Sequence, residues 1–135
     1  MTVVHCKREP YDIYIGRGRD PRTGEPGRWG NPFSHRPSRV AGVIVVATRE
    51  EAIARYRRWL WAEIEAARVD LAELTSLHGK ALGCWCAPAP CHGEVLAAAA
   101  MWALGEQARR VARRAATLAM EQRASERTAV TEGGR

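Results

Sequence analysis

Three cysteines and a histidine crowd into one short stretch, LGCWCAPAPCHGEVL, as Cys84, Cys86, Cys91 and His92. On a strand, alternate side chains share a face, so Cys84 and Cys86 would point together and Trp85 away. Prolines stiffen the following turn and would bring Cys91 and His92 to the start of the next helix. Unpaired backbone N–H groups and the helix dipole favour anions there and lower a thiol's pKa. Three readings stay open. The thiols, with His92 or a distant His5 or His78, can hold zinc or another thiophilic metal, although C-x-C-x4-C-H is not a standard zinc-knuckle spacing. Alternatively Cys91 or His92 takes part in catalysis or ligand contact at the helix start, with His92 as the acid–base group because its ordinary pKa lies near neutrality. The plainest reading makes the cysteines small buried residues and His92 a hydrogen-bonding helix-start residue.

The second candidate is the Gly-Arg loop, YIGRGRDP. Gly16 and Gly18 permit a tight turn and close approach of a ligand, and Arg17 and Arg19 offer forked donors suited to phosphate. The sequence is not the dinucleotide fingerprint, because GRGR lacks its glycine spacing and no helix follows at once. In RWGNPF, Trp29 and Phe33 flank a turn that can wall a pocket, and Asn31 carries an amide that can read a polar ring. The same aromatics can instead staple the loop to the core.

These residues need elements to hold them. Residues 2–6 and 11–15 read as short strands around a polar turn. A long Gly-, Pro- and Arg-rich loop follows, a length that marks a functional or a disordered segment, and the embedded Trp29 and Phe33 favour an ordered functional loop. Residues 43–47 read as a short strand or the lead-in to a helix. Thr48 and Glu51 then form a capping-box signature before Ile53, Tyr56, Trp59, Leu60 and Ile64 recur at helical spacing. Asp70 caps a short helix stopped by Gly79, residues 80–86 read as a buried strand, and HGEVLAAAAMWAL as a helix.

From Glu106 the chain reads as an Ala/Arg helix with one apolar face (Leu104, Ala108, Val111, Ala115, Leu118). Arg109, Arg110, Arg113 and Arg114 adjoin on its surface, either to meet a nucleic-acid backbone or as a solvated face balanced by Glu106. The final dozen residues read as frayed or disordered.

The whole chain of 135 residues fits one domain with its own core. The hydrophobic fraction of 46% and five tryptophans favour a packed globule over a disordered chain. No apolar run matches a membrane span and the N-terminus carries no signal-peptide pattern, so the expected location is the cytoplasm. Reducing conditions there disfavour pairing the four cysteines as disulfides. Cys6 reads as a small buried residue. A net charge of +6, mostly from arginine, suits anionic partners.

YIGRGR, WGNPF, the T-x-x-E-A-I-x-x-Y-x-x-W-L helix and GKALGCWCAPAPCHGEVL, in that order, are similar to a widespread bacterial and phage family, domain of unknown function 4326. The likeness covers roughly residues 3–103. It carries over to Gly16, Arg17 and Gly18; to Trp29, Gly30, Asn31, Pro32 and Phe33; to Tyr56; and to Cys84, Trp85, Cys86, Pro90, Cys91, His92 and Gly93. The insertion DPRTGEP is longer than the usual family pattern, which bears on the reach of Arg19. The resemblance implies no established reaction. The Cys-His turn also resembles that of another uncharacterised α/β family with an arginine where Gly93 stands here, so phosphate at this turn would call on Arg17.

The expectation is a small Rossmann-like α/β domain over residues 1–105, with a short mixed or parallel sheet flanked by helices, and a helical extension over 106–135. Its expected ligand is a nucleotide, nucleoside or related phosphorylated molecule, held by Gly16, Arg17, Gly18, Arg19, Trp29, Asn31 and Phe33, with Cys91 and His92 at the reacting end. The alternative is a zinc-stabilised binding module contacting nucleic acid through the basic helix.

Overall fold

A computed structural model describes residues 2–133, with side chains described as far as residue 131. The chain divides into two compact units, Met1–Ala103 and Leu104–Arg135. The first is a mixed α/β unit built on two small parallel sheets. Strands β1 (Thr2–His5), β2 (Ile13–Tyr14), β3 (Phe33–Ser34) and β4 (Ile44–Val45) precede helices α1 (Arg49–Glu65) and α2 (Leu71–Thr75). Strand β5 (Ala81–Cys84) and helix α3 (Gly93–Gly133) complete the order.

The two N-terminal strands do not pair with each other. β5 lies between them in the order β1-β5-β2, parallel to both, with Val4 and Tyr14 opposite Gly83. Side-chain alternation gives the sheet two covered faces. Val3, Ile13, Ile15, Leu82 and Cys84 join the main core with Tyr56 and Leu60 of α1, Leu74 of α2 and Leu96, Ala99 and Ala100 of α3. Val4, Cys6, Tyr11 and Tyr14 form a smaller cluster. The β1–β2 connection crosses this second face, and the Tyr11 ring lies over Gly83 where a Cβ would sit 2.6 Å from ring carbon Cγ.

The helix signals act largely as read. The Thr48 hydroxyl accepts from Glu51 N–H at 3.1 Å, while the Glu51 carboxylate reaches past the cap to Ala47 N–H at 3.2 Å. Asp70 and Glu73 complete a reciprocal capping box on α2, and Gly79 takes the left-handed φ of +75° just beyond. β5 ends at Cys84, so Trp85 and Cys86 belong to the turn rather than the strand. The other pair, β3 with β4, is parallel and only two residues long in each strand.

In the second unit, helix α3 continues to Gly133, past the point near residue 124 where the sequence suggests fraying; residues 134 and 135 lie outside the described residues. Ala, Glu, Gln and Arg are strong helix formers and sustain the run. Val111 and Leu118 on its apolar face are exposed. Glu106 gathers Arg109, Arg110 and Arg113 at 2.9, 3.2 and 2.9 Å. Led by Arg113, they hold its carboxyl down at about 2. Three of the four arginines therefore share one carboxylate, and Arg114 is exposed. Among the described residues no helix is long and apolar enough to cross a membrane.

Candidate ligand-binding cavity

β2 and β5 end side by side, and each runs directly into a motif loop. Between the loops lies a cavity of about 190 Å³. Gly16, Arg17, Asn31 and Phe33 line one side; Cys84, Cys86, Cys91 and His92 line the other. The remaining wall includes Ser34, His35, Trp85 and Pro90, with Arg49, Ala52 and Ile53 from the first turn of α1. The start of α1 and the residues leading into α3 thus meet at one opening, where helix N-termini favour negative charge.

The Gly-Arg and WGN turns touch backbone to backbone. A Cβ at Gly30 would lie 3.0 Å from Arg17 Cα and from Gly16 O, so any side chain there would push the two turns apart. The Arg17 guanidinium then reaches across, its Nη1 donating to the carbonyls of Asn31 (3.1 Å) and Phe33 (3.2 Å) and its Nη2 to Ser34 Oγ (3.3 Å). Its main role here is to fasten one loop to the other. Tyr14 donates to Arg17 O at 2.6 Å and accepts from Trp85 Nε1 at 2.8 Å, tying the loop to the 49%-exposed Trp85 at the cavity rim.

The other expected ligand residues part company. Asn31 is buried, with its Oδ1 accepting from Phe33 N–H (2.9 Å) and its Nδ2 donating to Ala52 O (3.2 Å), so its amide shapes the turn. Phe33 faces the cavity. Trp29 belongs to the core and its carbonyl accepts from Tyr56 OH at 2.9 Å, the stapling role. Gly18 takes φ +68° at a neighbouring surface concavity. Arg19 lies outside the cavity and donates to Gly24 O at 2.9 Å within the inserted segment. Arg49, Ser34, His35 and Trp85 also line the pocket, and the motifs alone do not announce them as ligand contacts.

His92 is 6% exposed and its Nε2 lies 2.6 Å from Ile15 O. A carbonyl only accepts, so Nε2 carries the hydrogen. Burial pushes the imidazole below its ordinary value, outweighing the opposite pull of the Ile15 and Trp29 carbonyls and of Cys86. This moves the imidazole away from the near-neutral value on which the acid–base expectation stood, toward a more acidic one. It also means the unfolded chain binds a proton at His92 more readily than the native one. Stability from this group is therefore complete above about pH 6.5 and falls as pH drops toward the lower native value, at up to ~1.4 kcal/mol per pH unit. Denaturant midpoints at pH 7.5 and pH 5 should show that loss, and His92→Gln should flatten it; parallel pH trends in the two proteins would exclude His92 as the source.

The thiols interact with one another. Cys84 Sγ and Cys91 Sγ are 3.4 Å apart, Cys86 N–H donates to Cys84 Sγ and Gly93 N–H to Cys91 Sγ, both at 3.3 Å. Hydrogen bonds from Cys84 and Cys91, then Arg49, hold the Cys86 thiol well below the ordinary cysteine range, while Cys91 is pushed up by bonding to the other two. The zinc reading joins Cys84, Cys86 and Cys91 to His92 or to a distant His5 or His78. His92 is turned to Ile15, and among the described residues no group of three or more His, Cys, Asp or Glu is arranged to hold a metal ion. His5 accepts from Lys7 N–H and packs edge-on to Trp85, and His78 is exposed.

Fold and site together define a small α/β domain with a thiol- and arginine-lined cavity at the ends of parallel strands. The chain belongs to the family described as domain of unknown function (DUF4326), whose model matches residues 4–102. It is 32% identical over 95 residues to an uncharacterized 12.4 kDa protein in the nrdA-td intergenic region of Enterobacteria phage T4, covering 70% of this chain and 72% of that protein. No solved structure matches.

Proposed function

We propose that this domain binds a nucleotide, nucleoside or related phosphorylated small molecule in the cavity between the Gly-Arg and Cys/His loops. The observation that carries the reading is the convergence of Arg17, Arg49 and the aromatic side chains of Phe33 and Trp85 on one opening. That opening lies at the carboxyl ends of β2 and β5, where open parallel α/β sheets of the Rossmann-like kind bind their ligands. Arg49 supplies the less committed cation, with one bond, from its Nη1 to Pro90 O at 3.1 Å, against the three that hold Arg17 between the loops, and the rings of Phe33 and Trp85 offer apolar surface for a base. The volume is below the roughly 300–1,000 Å³ of typical ligand pockets, which favours a mononucleotide fragment or sugar phosphate over a dinucleotide. A cytoplasmic setting fits the four free thiols.

Calorimetric titration with nucleoside monophosphates, nucleosides and ribose 5-phosphate tests this. A nucleoside monophosphate should bind most tightly. Arg49→Ala should weaken it roughly tenfold, about 1.4 kcal/mol, with the melting temperature little changed. Absence of heat and of thermal stabilisation across the panel at millimolar concentration would end the nucleotide reading.

A further inference from the structure

The three thiols on the cavity wall form a group that ligand binding alone does not use. We propose that they carry out thiol–disulfide exchange on a small anionic disulfide entering the cavity, with Cys86 as the attacking sulfur and Cys91 as the resolving one. This goes beyond the nucleotide reading and does not depend on it.

The geometry separates the roles. Cys84 and Cys91 are buried, whereas Cys86 is only partly so, and all three line the opening. An incoming molecule therefore meets Cys86 first. Cys84 Sγ lies 3.4 Å from Cys91 Sγ and accepts from Cys86 N–H at 3.3 Å, and Arg49, whose Nη1 donates to Pro90 O at 3.1 Å, lines the same opening. Hydrogen bonding from the neighbouring thiols and Arg49 holds the Cys86 thiol down, which favours the thiolate, the nucleophile in exchange, at that sulfur. Arg49 also gives the cavity its preference for an anionic substrate.

In the first step Cys86 thiolate attacks one sulfur of the bound disulfide. The substrate S–S bond breaks, the departing thiolate takes a proton from solvent, and Cys86 is left in a mixed disulfide. Conversion of the Cys86 thiolate removes one of the two sulfur partners, Cys84 and Cys86, whose bonding holds the proton on Cys91. Gly93 N–H, already 3.3 Å from Cys91 Sγ at the start of α3, then favours the Cys91 thiolate. Cys91 gives up its proton and attacks Cys86 Sγ, forming the Cys86–Cys91 bond and releasing the second half of the substrate as a thiol. The substrate gains two electrons and two protons; the protein loses two electrons and holds one internal disulfide.

The test is to treat the reduced full chain with dithiodiglycolate at pH 7, quench with a thiol alkylating agent and map all four cysteines by peptide mass spectrometry. Cys6, outside the cavity, is the internal reference. Wild type should pass through a Cys86 mixed disulfide to a Cys86–Cys91 bridge with Cys6 still reduced. Cys91→Ser should stop at the Cys86 adduct, and Arg49→Ala should slow the first step roughly tenfold. The neutral bis(2-hydroxyethyl) disulfide should react more slowly than dithiodiglycolate and lose less rate on Arg49→Ala, because it feels only the lost support of the Cys86 thiolate and not the lost attraction for a carboxylate. If Cys91→Ser does not fold, the wild-type time course decides. Adducts spread evenly over the cysteines or appearing first at Cys6, a Cys84–Cys91 bridge with no Cys86 adduct before it, or inert cavity thiols would each overturn the proposal. Nucleotide binding with inert thiols would overturn the exchange chemistry alone, and exchange without nucleotide binding the ligand reading alone.

Discussion

Gly83→Ala is expected to destabilise the first unit by about 3 kcal/mol, a fall in melting temperature of roughly 12–24 °C for a unit of this size. The added methyl would lie 2.6–2.9 Å from Tyr11 Cγ, Cδ1 and Cδ2. Neither side can easily give. Gly83 is the middle of a three-strand sheet, paired with Val4 and Tyr14 across its two edges. Tyr11 is held above it by a hydrogen bond from its hydroxyl to Asp20, with the Arg22 guanidinium 4.4 Å over the ring. Paired with Tyr11→Ala in a double-mutant cycle, the cost should be clearly less than additive, because the second change removes what the methyl strikes. Thermal melts of the four proteins settle it; a Gly83→Ala protein that melts with wild type would mean that Tyr11 does not seal this face.

The same crossing shows where the sequence stops being informative. Both strands around Lys7–Pro10 are legible from β-branched and aromatic residues, yet nothing local says that β5, about seventy residues later, inserts between them. Register and neighbour choice are long-range matters, and a glycine in KALGCWC announces close approach without naming the partner. Caps are different. Thr48 and Asp70 work through atoms three residues away, so the start of α1 and of α2 can be read from a few letters.

The candidate site was legible as two motifs and not as a constellation. Spacing brought Cys84, Cys86 and Cys91 together correctly as neighbours, because a short proline-stiffened turn leaves them little freedom. Side-chain commitments were not visible. Asn31, Arg17 and His92 each carry the chemistry of a ligand contact, and each is bonded to backbone carbonyls contributed by distant parts of the chain. Arg49 left a trace that composition hides: it stands directly after the Thr48 cap, where a cation opposes the helix dipole, so its place there calls for a compensating partner. The Pro90 carbonyl, which accepts from Arg49 Nη1 at 3.1 Å, and the nearby Cys86 thiol meet that need.

The distinction between a clamp and a ligand arginine yields the other large expected effect. Arg17→Ala should cost about 2–4 kcal/mol, because it leaves the Asn31 and Phe33 carbonyls and Ser34 Oγ without their charged donor in a partly buried place. Arg17→Lys should recover little of this, since the single ammonium nitrogen does not span the acceptors that Nη1 and Nη2 reach separately. Denaturant unfolding gives the stability, and amide exchange across residues 31–36 should report a loosened loop in the native state. Arg49→Ala should do neither while weakening anionic ligands. If Arg17→Ala kept wild-type stability and loop protection but lost nucleotide affinity, the guanidinium would belong to the ligand after all, and the two loops would have to be joined by their backbone contacts at Gly27 and Gly30.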